Sequence, residues 1–168
     1  MSTLLAIDPG STDSGWVVID VGTCRPIAFG KTPNLELRDR LWTSAPTAIV
    51  ADRAVIEMIA SYGMAVGAEV FETCVWIGRF YTAFEVHTDT TPELVKRKPI
   101  KLHHCESTKA KDSNITQALV DRFAAGEPNH GKGTNAAPGW FHGFRADIWQ
   151  AYALAVYAAD TMRGEATL

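Results

Sequence analysis

Three acidic residues stand at positions where a carboxylate either costs free energy or is aimed at something. Asp8 closes the short apolar run Leu4-Leu5-Ala6-Ile7, directly ahead of a Pro9-Gly10 turn. Glu57 interrupts the apolar stretch Ala54-Val55-Ile56-Glu57-Met58-Ile59. Asp147 opens a segment whose apolar residues recur at helical spacing as far as Arg163. An ionised carboxylate buried without partners costs several kcal/mol, so Glu57 calls for a counter-charge, a metal or an open strand end. Each acid also has a plainer use. Asp8 suits a turn, where aspartate bonds its own backbone. Glu57 suits the outer face of a half-exposed strand. Asp147 and Gln150, three residues apart, suit a helix capping box.

Carboxylates that converge are suited to hard divalent cations, and Mg2+ needs only a few because it keeps much of its water. Such a site serves phosphodiester hydrolysis. Two Mg2+ ions about 4 Å apart neutralise the phosphate, generate the attacking hydroxide and stabilise the leaving oxygen. A carboxylate shared between the ions is the economical arrangement.

Phosphate recognition has its own candidate. The chain carries a net charge of −3, but residues 96–111 hold six cations, Lys96, Arg97, Lys98, Lys101, Lys109 and Lys111, against Glu106 alone. That segment is therefore +5 and the remainder −8. A basic stretch on an acidic body is a footprint for phosphates, or equally a solvated surface. His103-His104-Cys105-Glu106 are four adjacent ligand types, but neighbours in sequence rarely converge on one ion and no second cluster has zinc spacing. They are read as non-metal.

The elements that must position these residues follow from periodicity. A first strand ending at Asp8 and a second with Trp16, Val18 and Asp20 alternating against Val17 and Ile19 form a hairpin. A third strand is expected over 26–31 and a helix over 35–42. A buried strand holds Glu57. A long helix is expected over 66–84, with one stripe of Val66, Val70, Cys74, Ile77 and Tyr81, and a second of Trp76, Phe80 and Phe84. Two apolar faces need two partners: the sheet takes one, and the aromatic stripe calls for either another helix or a second subunit in a homodimer. Leu94-Val95 is a short fifth strand. A helix over 109–125 has Asp112 or Ser113 as N-cap. Five glycines and two prolines in 126–143 predict a mobile loop up to residue 146, and a last helix runs 147–163. Strands and helices in this order make an α/β protein with a mixed sheet.

At 168 residues, 46% hydrophobic and 21% charged, the chain fits a single domain over 1–168 with a substantial core. No run approaches the roughly 20 apolar residues of a membrane helix, and no basic segment precedes Leu4 as in a secretory leader. Three widely spaced cysteines form no disulfide framework, so a cytoplasmic location is expected.

Taken together, Ile7-Asp8-Pro9-Gly10 with Ser14-Gly15-Trp16, then Ile56-Glu57, then Asp147 ahead of Ala151-Tyr152-Ala153-Leu154-Ala155, resemble the RuvC-type Holliday junction resolvases of the RNase H-like superfamily. Segments 57–64 and 70–80 look similar to the branch encoded by phages and prophages, and the likeness runs from Leu4 to about Ala159. The resemblance implies a five-stranded RNase H-like mixed sheet of order 3-2-1-4-5. It implies Asp8 on both metals, Glu57 on one and Asp147 on the other, with Mg2+ or alternatively Mn2+ as cofactor. It implies a homodimer that nicks four-way DNA junctions symmetrically. Lys101 and Lys111 match family positions that contact or stabilise the scissile phosphate. Lys96, Arg97, Lys98 and Lys109 would bind DNA phosphates, while Tyr62 either wedges against unstacked bases or anchors its loop.

One family feature is absent. A second acid or histidine often follows three residues after the Asp147 position, and here Gln150 stands instead. Asp13 or His142 are the candidates to compensate. Other readings are a flap or RNA–DNA hybrid nuclease on the same fold, a catalytically silent junction-binding protein, and, more remotely, an actin-superfamily phosphotransferase.

Overall fold

A computed structural model describes residues 1–165. Five strands, β1 (Thr3–Asp8), β2 (Asp13–Asp20), β3 (Pro26–Pro33), β4 (Arg53–Met58) and β5 (Glu93–Lys96), form one sheet in the order β3-β2-β1-β4-β5. The first three strands are antiparallel neighbours, whereas β1–β4 and β4–β5 are parallel. The expected mixed sheet and its strand order are therefore present. Five helices surround it: α1 (Asn34–Trp42), α2 (Ala68–Thr88), α3 (Arg97–Cys105), α4 (Asp112–Phe123) and α5 (Ile148–Glu165).

Strand alternation sorts the apolar residues into two cores. Leu5, Ile7, Trp16, Val18, Ala54 and Ile56 face α1 and α2, meeting Leu37, Leu41, Ile77, Phe80, Ala83 and Phe84. Leu4, Ala6, Val17, Ile19, Val55 and Val95 face the other way, against α5 and residues of α3 and α4. The run Ala151–Val156 of α5 is fully buried, and its three alanines leave room for the helix to lie close on the sheet.

Several expectations are corrected. The basic segment, for which the sequence predicts no element over 97–105, winds there into α3, with Pro99 in the first turn where its missing N–H costs nothing. The helix expected from residue 66 starts at Ala68, leaving Val66 44% exposed ahead of it. The aromatic stripe does not form an open second face: Phe80 and Phe84 are in the core of the same chain, and only Trp76 is partly exposed, stacked on Phe80. The N-cap of α4 is Lys111, with the Asn114 side chain accepting its backbone N–H at 2.9 Å. Asp112 is thereby inside the helix and turned to another task. Within the glycine-rich loop over 126–146, Phe141 and Phe144 are buried against Trp149 and Tyr152, and a bridge pairs Gly133 with Pro138.

Candidate active site

Backbone register brings the acids together. Ile7 pairs with Ile56, so one residue further along these parallel strands Asp8 and Glu57 lie at the carboxyl edge of the sheet. Alternation puts Asp8 on the side of Leu4 and Ala6, and Glu57 on the side of Val55, which is the face covered by α5. Gly15 pairs with Asp8 on one side and with Lys31 on the other, extending the same row across three strands. In open α/β sheets this edge, where the strand order changes direction, is where ligands bind.

Asp147 reaches the row because Gly15 has no side chain. A Cβ at Gly15 would lie 2.6–2.8 Å from the carbonyl oxygen, carbonyl carbon and Cβ of Asp147. A glycine inside a strand commonly marks such a close backbone approach. The turn that carries Asp8 is pinned by a buried polar network. Ser14 Oγ donates to Asn34 Oδ1 at 2.6 Å, Gly10 N donates to Ser14 Oγ at 3.1 Å, and Asn34 Nδ2 donates to the Gly10 carbonyl at 2.9 Å.

The capping box does not form. Asp147 Oδ2 instead meets Lys31 Nζ at 2.7 Å, and Gln150 Oε1 accepts from Arg97. Arg97, expected among the outward DNA contacts, is turned into the site. Its Nη1 donates to Glu57 Oε2 at 3.1 Å, and its Nη2 donates to both Asp112 Oδ1 and Gln150 Oε1. The Arg97 and Glu57 side chains are only 21% and 17% exposed, so this pair is poorly screened by solvent.

Asp8 differs from its neighbours: among the described residues, no hydrogen bond or ion pair reaches its carboxylate. Its pKa is held well above the ordinary 3.8, first by burial and then by the charges of Glu57 and Asp147, with Arg97 opposing. Burial raises Glu57 too, against the pull of Arg97 and, more weakly, Lys101. The hydrogen bond and charge of Asp147 raise Lys31 above its usual value, with Asp13 and Asp8 adding to the effect. Four carboxylates at one edge, one lacking a partner, favour a cation.

Among the described residues no three histidine, cysteine or acidic side chains make a ready-made metal cage. The donor set still fits a hard divalent ion. Asp8 offers an uncommitted, solvent-reached carboxylate flanked by Glu57 and Asp147, and Mg2+ completes its shell with water.

Of the basic candidates, Lys101 on α3 is close enough to Glu57 to stabilise its charge. Lys111 is exposed at the start of α4, and Lys96, Lys98 and Lys109 are exposed beside it in sequence. Lys98 Nζ lies 4.4 Å from the centre of the Tyr62 ring, and Tyr62 is 54% exposed. Of the two candidates to replace the missing ligand, Asp13 acts on Lys31, and His142 Nδ1 lies 3.2 Å from the Lys132 carbonyl in the glycine-rich loop. His104 Nε2 bonds the Ala153 carbonyl at 2.8 Å and His103 Nε2 meets Asp160 at 2.6 Å, so both histidines are structural.

Sequence reasoning missed Lys31, Asn34 and Asp112. It also missed the inward role of Arg97, which the surrounding lysines mask. A lysine in an edge strand and an asparagine at a helix start carry no local signal of a site.

The fold is of RNase H-like type, and its architecture is that of RuvC. Thermus thermophilus RuvC in complex with Holliday junction substrate superposes with a TM-score of 0.68 at 13% identity, covering 98% of this chain and 97% of that one. A second Thermus thermophilus RuvC structure gives 0.67 at 15% identity, covering 96% of each chain. No family model and no curated protein sequence matches the chain.

Proposed function

We propose that this protein is a metal-dependent endonuclease that cleaves branched DNA, with four-way junctions as its substrate, by phosphodiester hydrolysis. One observation carries this reading: Asp8 of β1, Glu57 of β4 and Asp147 just ahead of α5 come together on one face at the carboxyl edge of the sheet, beside the basic helix α3. Likeness of fold to a RuvC solved with a Holliday junction supports it.

Asp8, Glu57 and Asp147 would line the acidic pocket that takes up Mg2+, or Mn2+ in its place. The ion would supply a polarised phosphate and a water acidic enough to attack near neutral pH. The chain's own groups do the rest. Lys31 and Arg97 orient Asp147 and Glu57 through the bonds described above. Lys101 and Lys111 would neutralise the scissile phosphate. Lys96, Lys98 and Lys109 would hold neighbouring phosphates, which position DNA without reading bases. Tyr62 would stack on an unpaired base with the ring face that Lys98 leaves open.

Two symmetric nicks require two sites, hence a homodimer. With Phe80 and Phe84 inside the chain's own core, the dimer would use the outward side of α2, where Phe71, Val75 and Val86 are exposed. Cys24, Cys74 and Cys105 are free thiols, in keeping with a reducing cytoplasm. Among the described residues no helix is long and apolar enough to cross a membrane.

The test is cleavage of labelled four-way junction, flap, duplex and RNA–DNA hybrid substrates, with Mg2+ and with EDTA. Paired nicks in the four-way junction alone, and only with metal, are expected. Cutting of flaps or hybrids would keep the metal site and change the substrate. Binding without any cutting would make the protein a silent junction binder.

A further inference from the structure

We infer that the Arg97 guanidinium stands in for one of the two cations of a two-metal site, so that the pocket holds a single divalent ion, on Asp8. The inference rests on the metal-dependent reading above and concerns how many ions that site accepts.

Arg97 forks across the space between β4 and α5, with one nitrogen on Glu57 and the other on Gln150 and Asp112. Arginine has five donors, no acceptor and a charge that survives at any working pH. A second divalent ion bound by Glu57 would have to displace a guanidinium already satisfied there. Gln150 cannot compensate, since its amide is neutral and its oxygen is committed to the same guanidinium.

Charge leads to the same count. Asp8, Glu57, Asp147, Asp112 and Asp13 bring five negative charges, and Arg97, Lys31 and Lys101 return three, Arg97 and Lys31 through direct pairs with three of the acids. Two negative charges remain, matching one divalent ion rather than two. Asp8, the acid with no partner, is where that ion goes. Arg97 then presents a fixed positive charge where the second metal would have been. A preorganised guanidinium is a well-attested stabiliser of phosphate charge.

The test is a Mn2+ titration of the intact protein, counting bound ions by electron paramagnetic resonance. Wild type should bind one Mn2+ per chain, and Asp8→Asn should bind none. Arg97→Gln, with folding checked by circular dichroism, should bind two. Arg97→Lys keeps the charge and should stay at one. Two ions in wild type, or an unchanged single ion in folded Arg97→Gln, would overturn the inference while leaving the metal-dependent reading intact. No ion in wild type at any concentration would remove both. Should Arg97→Gln not fold, the wild-type and Asp8→Asn counts still decide between one ion and two.

Discussion

The main chain of Asp147 rests against Gly15, so close that a Cβ there would sit 2.6 Å from the Asp147 carbonyl oxygen. Gly15 is also the cross-strand partner of Asp8. A single missing side chain thus sets the distance between two acids that are 139 residues apart in sequence.

Gly15→Ala is expected to push the start of α5 away from the sheet. Backbone and Cβ atoms of Asp147 have no rotamer to yield with, so overpacking should cost about 1–3 kcal/mol. Urea denaturation gives the stability change, and junction cleavage should fall with it. Wild-type stability and cleavage in Gly15→Ala would show that the approach has slack.

Asp8→Asn should separate function from stability. Cleavage should drop at least about a hundredfold, the rate equivalent of losing several kcal/mol of metal-borne charge stabilisation. Without metal the folded protein should become more stable at neutral pH. The folded-state pKa of Asp8 is raised, so the native chain binds the proton more tightly than the unfolded one. Its contribution to stability is therefore lost as pH rises from the ordinary 3.8 through the raised value. Asparagine removes that loss. Denaturation in EDTA at pH 5 and pH 8 measures it, and equal pH dependence in both proteins would contradict it.

His104 should act in the opposite direction. Burial lowers its pKa from 6.5 to about 4, outweighing its bond to the Ala153 carbonyl. The unfolded chain takes up the proton first as pH falls from 6.5 toward 4, so stability declines there by about 1.4 kcal/mol per pH unit. An NMR titration of the His104 ring should show a midpoint near 4, and His104→Gln should remove this part of the acid sensitivity. A midpoint near 6.5 would mean that the ring is solvated.

Junction affinity should fall linearly with the logarithm of salt concentration. Replacing Lys98 or Lys109 by alanine should lower that slope by about 0.9 for each phosphate the lysine neutralises. Fluorescence anisotropy over a salt series reads this directly. A slope unchanged in both variants would place the DNA away from α3 and its flanks.

The strands, their order and most helices were legible, as were the places of Asp8 and Glu57 in their strands, because their signals are local. Period-two alternation marks the hairpin, Asp8 ends an apolar run ahead of Pro9-Gly10, and Glu57 breaks an apolar strand. The helix of residues 97–105 was not legible, since a charged segment with a proline near its start has no apolar period of its own. Nor was the fate of the aromatic stripe, because periodicity shows that a face is apolar and not what covers it.

By itself, then, the sequence determined which residue types lie at strand ends and helix starts, and so which carboxylates could be gathered. Tertiary structure decided the partners. It set Lys31 against Asp147, turned Arg97 from the DNA side onto Glu57 and Gln150, and left Asp8 without a bond among the described residues. Charge pairing depends on distance through space, and β3 and α3 reach the start of α5 only once the sheet has formed and the helix has settled onto Gly15.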